Sequence, residues 1–126
     1  MKRVFEEVED GTGSVTRYRR HDNGGGLVSL KAKADASAYI EATAYVEPGA
    51  EVARGAWIGA GSWIDAGAFI AAGAFIGSNV HIGAGSTVGI GAKVGSHSKI
   101  APDTTIPGGI RVDRDSRIGR THTLAA

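Results

Sequence analysis

From Ile40 onward, a β-branched apolar residue returns every sixth position: Ile40, Val46, Val52, Ile58, Ile64, Ile70, Ile76, Ile82, Val88, Val94, Ile100, Ile106, Val112 and Ile118. The phase never slips. Two residues before each stands a mostly small residue, Ala38, Ala44, Ala50, Ala56, Ser62 and so on to Ser116, with Val80 and Ile110 the larger ones. One residue after comes Gly, Ala, Glu or Asp in every case but Pro107. Three residues after comes Gly, Asn or Asp, except at Thr43, His97 and Thr121.

Side chains alternate along a strand, so the large apolar residue and the small one two positions earlier share an interior. Gly, Asn and Asp tolerate the left-handed backbone that tight corners need. The pattern predicts short strands joined by corners, three to a coil, stacked as a parallel tube. Fourteen such steps make between four and five coils, roughly 22 Å of stack at about 4.8 Å per layer. A helix would want apolar residues three and four apart and would not accept Gly every sixth residue, so the helical alternative fails.

The ends read differently. Residues 2–8 and 14–20 are extended stretches flanking Glu9-Asp10-Gly11-Thr12-Gly13, which predicts a β-hairpin. Its expected role is to cover the open end of the first coil. The expected organisation is a hairpin cap and lead-in over 1–28, a repeat domain over 29–121 and a tail over 122–126.

Composition agrees with a repeat fold. Gly is 20 of 126 residues without a collagen-like period, aromatics are 6%, and Ala, Val and Ile are too abundant for a disordered linker. A net charge of +1 gives no general attraction for nucleic acid. Cysteine is absent, so no disulfide or thiolate chemistry is available. The start of the chain lacks an apolar signal segment, and no apolar run reaches membrane-spanning length. A cytoplasmic protein, or a virion component if phage-encoded, is expected, with no nucleic-acid or membrane partner.

The pattern of Ile or Val, then Gly, Ala, Glu or Asp, with a small residue four positions on, resembles the hexapeptide-repeat superfamily over residues 34–121. That resemblance implies an all-β, left-handed parallel β-helix and a homotrimer; the usual crossover rule alone would give the opposite hand. The stretch Gly24-Gly25-Gly26-Leu27-Val28 ahead of the repeats resembles the start of small uncharacterised β-helix proteins of phage and bacterial genomes. This implies a place on a phage particle or other assembly.

Residues just before each large apolar position point outward and stack at eighteen-residue spacing. One face carries Tyr39, Trp57, Phe75, Lys93 and Arg111; the next carries Tyr45, Trp63, His81, Lys99 and Arg117; the third carries Glu51, Phe69, Thr87 and Thr105. Residues 55–92 hold one formally charged side chain, Asp65. At ~150–250 Å² per ring, six half-exposed aromatics would show about 450–750 Å², close to one side of a standard interface of ~800 Å². Tyr39, Tyr45, Trp57, Trp63, Phe69, Phe75 and His81 are therefore the expected trimer interface, two adjacent faces suiting a threefold wedge. The alternatives are ladders that only stabilise strand stacking, or that bind a carbohydrate or another protein.

Candidate chemistry is sparse. Hexapeptide-repeat acyltransferases use a His general base between subunits and an acyl-coenzyme A donor. By that resemblance His81 is the fallback general base, with a coenzyme A thioester as its cofactor. His97 falls at a corner, and His21 and His122 lie in the end segments. Against catalysis, the six-residue phase carries no inserted loop. The γ-class carbonic anhydrases hold zinc by three His on the same tube, but their pair of His separated by four residues is absent, so no metal is expected. Thr87 and Thr105 are too few for an ice-binding row. Gly83-Ala84-Gly85 and Gly89-Ile90-Gly91 are corners, not phosphate loops. Beyond residue 92, Lys93, Lys99, Arg111, Arg114, Arg117 and Arg120 outnumber Asp103, Asp113 and Asp115, forming a solubilising end or a dock for an acidic surface. The expectation is a non-catalytic trimeric structural or protein-interaction module without a cofactor. The alternative is a minimal acyltransferase.

Overall fold

The six-residue step becomes two-residue strands separated by four-residue corners, fifteen of them from Lys33–Ala34 to Arg117–Ile118. The structure, a computed structural model, describes residues 15–119 together with the backbone of 5–9. Wall 1 stacks the strands beginning at Lys33, Glu51, Phe69, Thr87 and Thr105; wall 2 those at Tyr39, Trp57, Phe75, Lys93 and Arg111; wall 3 those at Tyr45, Trp63, His81, Lys99 and Arg117. Every pairing along a wall is parallel and eighteen residues apart, as in Phe75↔Trp57 and Phe75↔Lys93. There are five coils, because Lys33–Ala34 adds a strand ahead of the β-branched series. Among the described residues there is no helix, and hence none long and apolar enough to cross a membrane.

The tube's interior is the core. The large apolar residues from Ile40 to Val112 are at most 4% exposed, and the small partners Ala38, Ala44, Ala56, Ala74 and Ala92 are sealed with them. Each buried Ile or Val is worth about 1.5–3 kcal/mol over leaving it in water. Coils hydrogen-bond one above the next along each wall, as in Trp57 N to Ala74 O (2.9 Å) and Gly59 N to Ile76 O (2.9 Å). At Gly59 a Cβ would lie 2.6 Å from the Gly77 carbonyl oxygen of the next coil, which explains the small residue after the apolar one there.

Corners come in three kinds. Eight carry Gly in the third position with φ between 67° and 77°, and each is closed by a turn bond such as Ala74 N to Ala71 O (3.2 Å). Four carry Asn79, His97, Asp103 or Asp115 with φ of 55–65°, and none of these shows that turn bond among the described residues. The first two corners keep the turn bond with Ser37 and Thr43 in ordinary backbone regions. His97 thus takes up the left-handed conformation although its residue type did not predict it.

Three strands close the amino-terminal end: β1 (Phe5–Glu9), β2 (Val15–Arg20) and β3 (Leu27–Ser29). β1 and β2 pair antiparallel, as the hairpin expectation requires, and the intervening Asp10-Gly11 turn lies outside the described residues. β2 pairs antiparallel with β3, which pairs parallel with the Tyr45–Val46 strand and so begins wall 3. Between β2 and β3 the chain folds over the end of wall 2: Gly26 N donates to Ile40 O (2.8 Å) and Ile40 N to Asn23 O (3.0 Å). A side chain at Gly26 would collide with Ile40 and Glu41, a physical reason for the glycine run. His21 is buried there, its Nε2 donating to Ala38 O (2.8 Å). Arg120, Thr121, His122 and the 122–126 tail lie outside the described residues.

Candidate functional site

Alternation sends the residue before each buried Ile or Val outward, and eighteen-residue stacking turns these into ladders. Walls 2 and 3 bring together six of the seven expected interface residues; Phe69 stands apart on wall 1. Tyr39 stacks on Trp57 with ring centroids 4.1 Å apart at 24°, and Trp57 on Phe75 at 6.2 Å and 19°. On wall 3, Trp63 and His81 stack at 4.2 Å and 9°, while Tyr45 meets Tyr18 of β2 edge-on at 5.4 Å.

Rings stacked along the tube axis cover each other's faces and turn their edges outward. A sugar needs an open ring face, so these ladders are poorly built as a carbohydrate platform. The same stacking lowers the exposed area. Trp57, Trp63, Phe69 and Phe75 are 44, 42, 36 and 41% exposed, and Tyr39 and Tyr45 are less open still. At ~150–250 Å² per ring, the four show about 250–400 Å², less than the half-exposed expectation and comparable with the largest patch on an ordinary monomer.

A carboxylate rail runs beside wall 3. Glu47 Oε2 accepts the Trp63 indole N–H (2.6 Å), and its Oε1 accepts the Tyr18 hydroxyl (2.6 Å). Burial, and then the Glu47 hydrogen bond, hold the Tyr18 hydroxyl well above the ordinary tyrosine range. One coil on, Asp65 Oδ2 lies 3.1 Å from His81 Nε2. Both pairs join a corner carboxylate to a ring nitrogen sixteen residues later. The contact fixes the His81 proton on Nε2 when the ring is neutral, and among the described residues Nδ1 has no hydrogen-bond partner. His81 is thus both a ladder ring and a carboxylate-oriented imidazole. A shallow recess beside it is lined by Lys99, Pro102 and Arg117.

The other candidates disperse. His21 is inside the cap, and His97 is exposed at the corner between walls 2 and 3. Among the described residues no three His, Cys, Asp or Glu converge as a metal site. Thr87 and Thr105 stack as neighbours on wall 1 without extending into a row. Sequence reasoning missed Ile90, 71% exposed at a corner between walls 1 and 2. Its signal was present: across the repeats this corner position otherwise holds Ala, Ser, Gly, Pro or Arg.

The family described as "Bacterial transferase hexapeptide (six repeats)" matches residues 55–89, the central coils. The chain is a hexapeptide-repeat β-helix. That fold is left-handed. The acetyltransferase domain of PglB from Neisseria gonorrhoeae FA1090 aligns over 73% of this chain and 48% of its own, with a TM-score of 0.63 at 19% identity. A perosamine N-acetyltransferase variant from Caulobacter crescentus, in complex with CoA and GDP-perosamine, covers 72% of this chain and 46% of its own at 23% identity and a TM-score of 0.44. The PglB likeness is one of fold alone. This β-helix spans about half the length of either protein. No curated protein sequence matches the chain.

Proposed function

We propose that the chain is a homotrimeric, non-catalytic structural or protein-interaction module whose subunits meet through walls 2 and 3. One observation carries the reading: both walls present stacked ring edges within residues 55–92, where the one formally charged side chain, Asp65, is engaged by His81. Exposed ring area alone matches an ordinary monomer patch. What raises it to an interface is that the rings of wall 2 follow one another without a charge between them, that the carboxylates beside wall 3, Glu47 and Asp65, are each taken up by a ring nitrogen, and that Gly and Ala corners let another backbone approach. Each subunit then offers the aromatic part of wall 2 to one neighbour and that of wall 3 to the other, and threefold closure covers those rings. An assembly such as a phage particle is a setting that suits a rigid trimer of this kind.

Replacing Trp57 and Trp63 together by Ser tests this. The expected outcome is loss of the trimer mass in light scattering, giving monomer or aggregate, while the parent chain runs as a trimer. A monomeric parent, or a mass unchanged by the replacement, would refute the interface.

The Asp65–His81 pair favours a second reading, a minimal acyltransferase in which His81 Nδ1 takes the acceptor's proton and a coenzyme A thioester is the donor. Against it, the Glu47–Trp63 pair repeats the same geometry where no base is present, which makes the contact a property of the ladder. Titration with coenzyme A separates the two: the module reading expects no saturable binding, and binding abolished by His81→Ala together with acetyl transfer would reverse the order.

A further inference from the structure

Below Phe75 and His81 the same two ladders change chemistry. Lys93 and Arg111 continue wall 2, Lys99 and Arg117 continue wall 3, and Arg114 sits at the corner between them. All five are exposed. Arg114 pairs with Asp115 (3.4 Å), whereas the other four have no ion-pair partner among the described residues. A groove of about 440 Å³ opens here, bounded above by Phe75 and lined by Lys93, Arg111, Arg114, Asp113 and Gly95. Phe75 is stacked from above by Trp57, and the next residue below it in register is Lys93.

We propose that this lower part of walls 2 and 3 is a docking site for an extended acidic segment of a partner protein. Three features select that chemistry. The cations stand one rung apart along each wall, about 4.8 Å, and their long flexible side chains can reach carboxylates that an extended chain carries about 6.6 Å apart on one face. Asp113 lines the same groove and Asp115 shares its corner, and the whole chain carries only +1, so the positive field is confined to five side chains and suits a short acidic segment over a long phosphate polymer. Phe75 adds an apolar contact at the head of the groove, suited to a segment mixing acidic and apolar side chains. In a trimer the need for neutralisation grows, because wall 2 of one subunit brings its cations toward those on wall 3 of the next. The inference deepens the interaction-module reading, but it does not depend on the trimer.

The experiment uses fluorescein-labelled decaglutamate and the full chain, followed by anisotropy at 50 mM salt. Saturable binding is expected, weakened about tenfold or more by Lys93→Glu with Arg111→Glu and about as much by raising salt to 500 mM. These exposed sites tolerate charge reversal without unfolding, which circular dichroism checks. Absence of binding, or binding indifferent to the double reversal, would overturn the site. Decathymidylate binding as tightly as decaglutamate would overturn the choice of partner. Mass in solution is read in parallel: a monomer that still binds the peptide sinks the trimer and keeps this inference, and a trimer that ignores it does the reverse.

Discussion

At the scale of single residues, three corners are each decided by one hydroxyl. Ser62 Oγ donates to Gly77 O (2.6 Å) and accepts from Val80 N (3.1 Å), standing between the two groups that would otherwise close that corner themselves. Ser86 does the same for Ala101 O and Thr104 N, and Ser98 for Asp113 O and Ser116 N. Each such serine lies seventeen residues before a left-handed Asn or Asp: Asn79, Asp103 and Asp115. Of the ten corners that close by the direct bond among the described residues, eight have Gly, and the first two have Ser37 and Thr43. Removing the hydroxyl leaves a buried carbonyl and N–H unpaired, so Ser62→Ala is expected to cost ~1–3 kcal/mol in urea unfolding. Adding Asn79→Gly lets the corner revert to the direct turn and should recover a measurable part, a coupling of ~0.5 kcal/mol or more in a double-mutant cycle. Strict additivity would show that the hydroxyl and the corner type are unrelated. The spacing of seventeen is visible in the sequence. Its meaning was not, because alternation says only that the position is small and buried, and nothing local says that a hydroxyl bridges to the next coil.

At the scale of the corner and strand, the first coil is built with side chains where later coils use backbone. Asp35 Oδ1 accepts from Ser37 N (2.9 Å) and Ser37 Oγ (2.7 Å); Glu41 Oε1 accepts from Thr43 N (2.7 Å) and Thr43 Oγ1 (2.6 Å). The two hydroxyls then receive Gly55 N (3.0 Å) and Gly61 N (2.8 Å), N–H groups that elsewhere reach the carbonyl of the coil above, as in Gly73 N to Arg54 O (3.0 Å). This explains why Thr43 breaks the Gly, Asn or Asp rule. Hydrogen bonds from Ser37 and from Thr43 hold both carboxyls below their ordinary values. A depressed folded-state value means that the contribution is present above the unfolded-state value, ~3.9 for Asp and ~4.3 for Glu, and is lost as pH falls through the folded one. Thermal unfolding between pH 6 and pH 3 should therefore fall less steeply for Asp35→Asn with Glu41→Gln than for the parent chain. Parallel profiles would remove the carboxylates from the corner's stability. The six-residue phase was enough to place the fourteen wall strands from Tyr39–Ile40 onward, though not Lys33–Ala34, and the outward position of their rings. It did not place the facing of the rings, which depends on stacking across eighteen residues and decides that edges, not faces, are presented.

At the scale of the whole molecule, a solenoid is a one-dimensional stack in which each coil is held by its neighbours, so its ends are its weak points. The amino-terminal end is clasped by one carboxylate. Glu47 ties Tyr18 of β2 to Trp63, two coils' worth of structure through a single side chain, and Tyr18 is 3% exposed with its hydroxyl spent on that bond. Glu47→Ala would orphan both donors, the tyrosine hydroxyl within a buried contact and the indole N–H at the surface, at ~1–3 kcal/mol for the buried one. Because neighbours carry the stability, the loss should not spread evenly. Amide hydrogen exchange is expected to accelerate across β2, β3 and the His21–Gly26 turn, where Gly26 N and Ile40 N close the cap, while Phe75, Gly77 and Gly83 in the central coils keep their protection. Tyr18→Phe should loosen the cap amides alone, since Trp63 would keep its carboxylate partner. Uniform acceleration along all five coils after Glu47→Ala would mean that the β-helix unfolds as one cooperative unit, and that the cap is part of its nucleus and not a lid upon it.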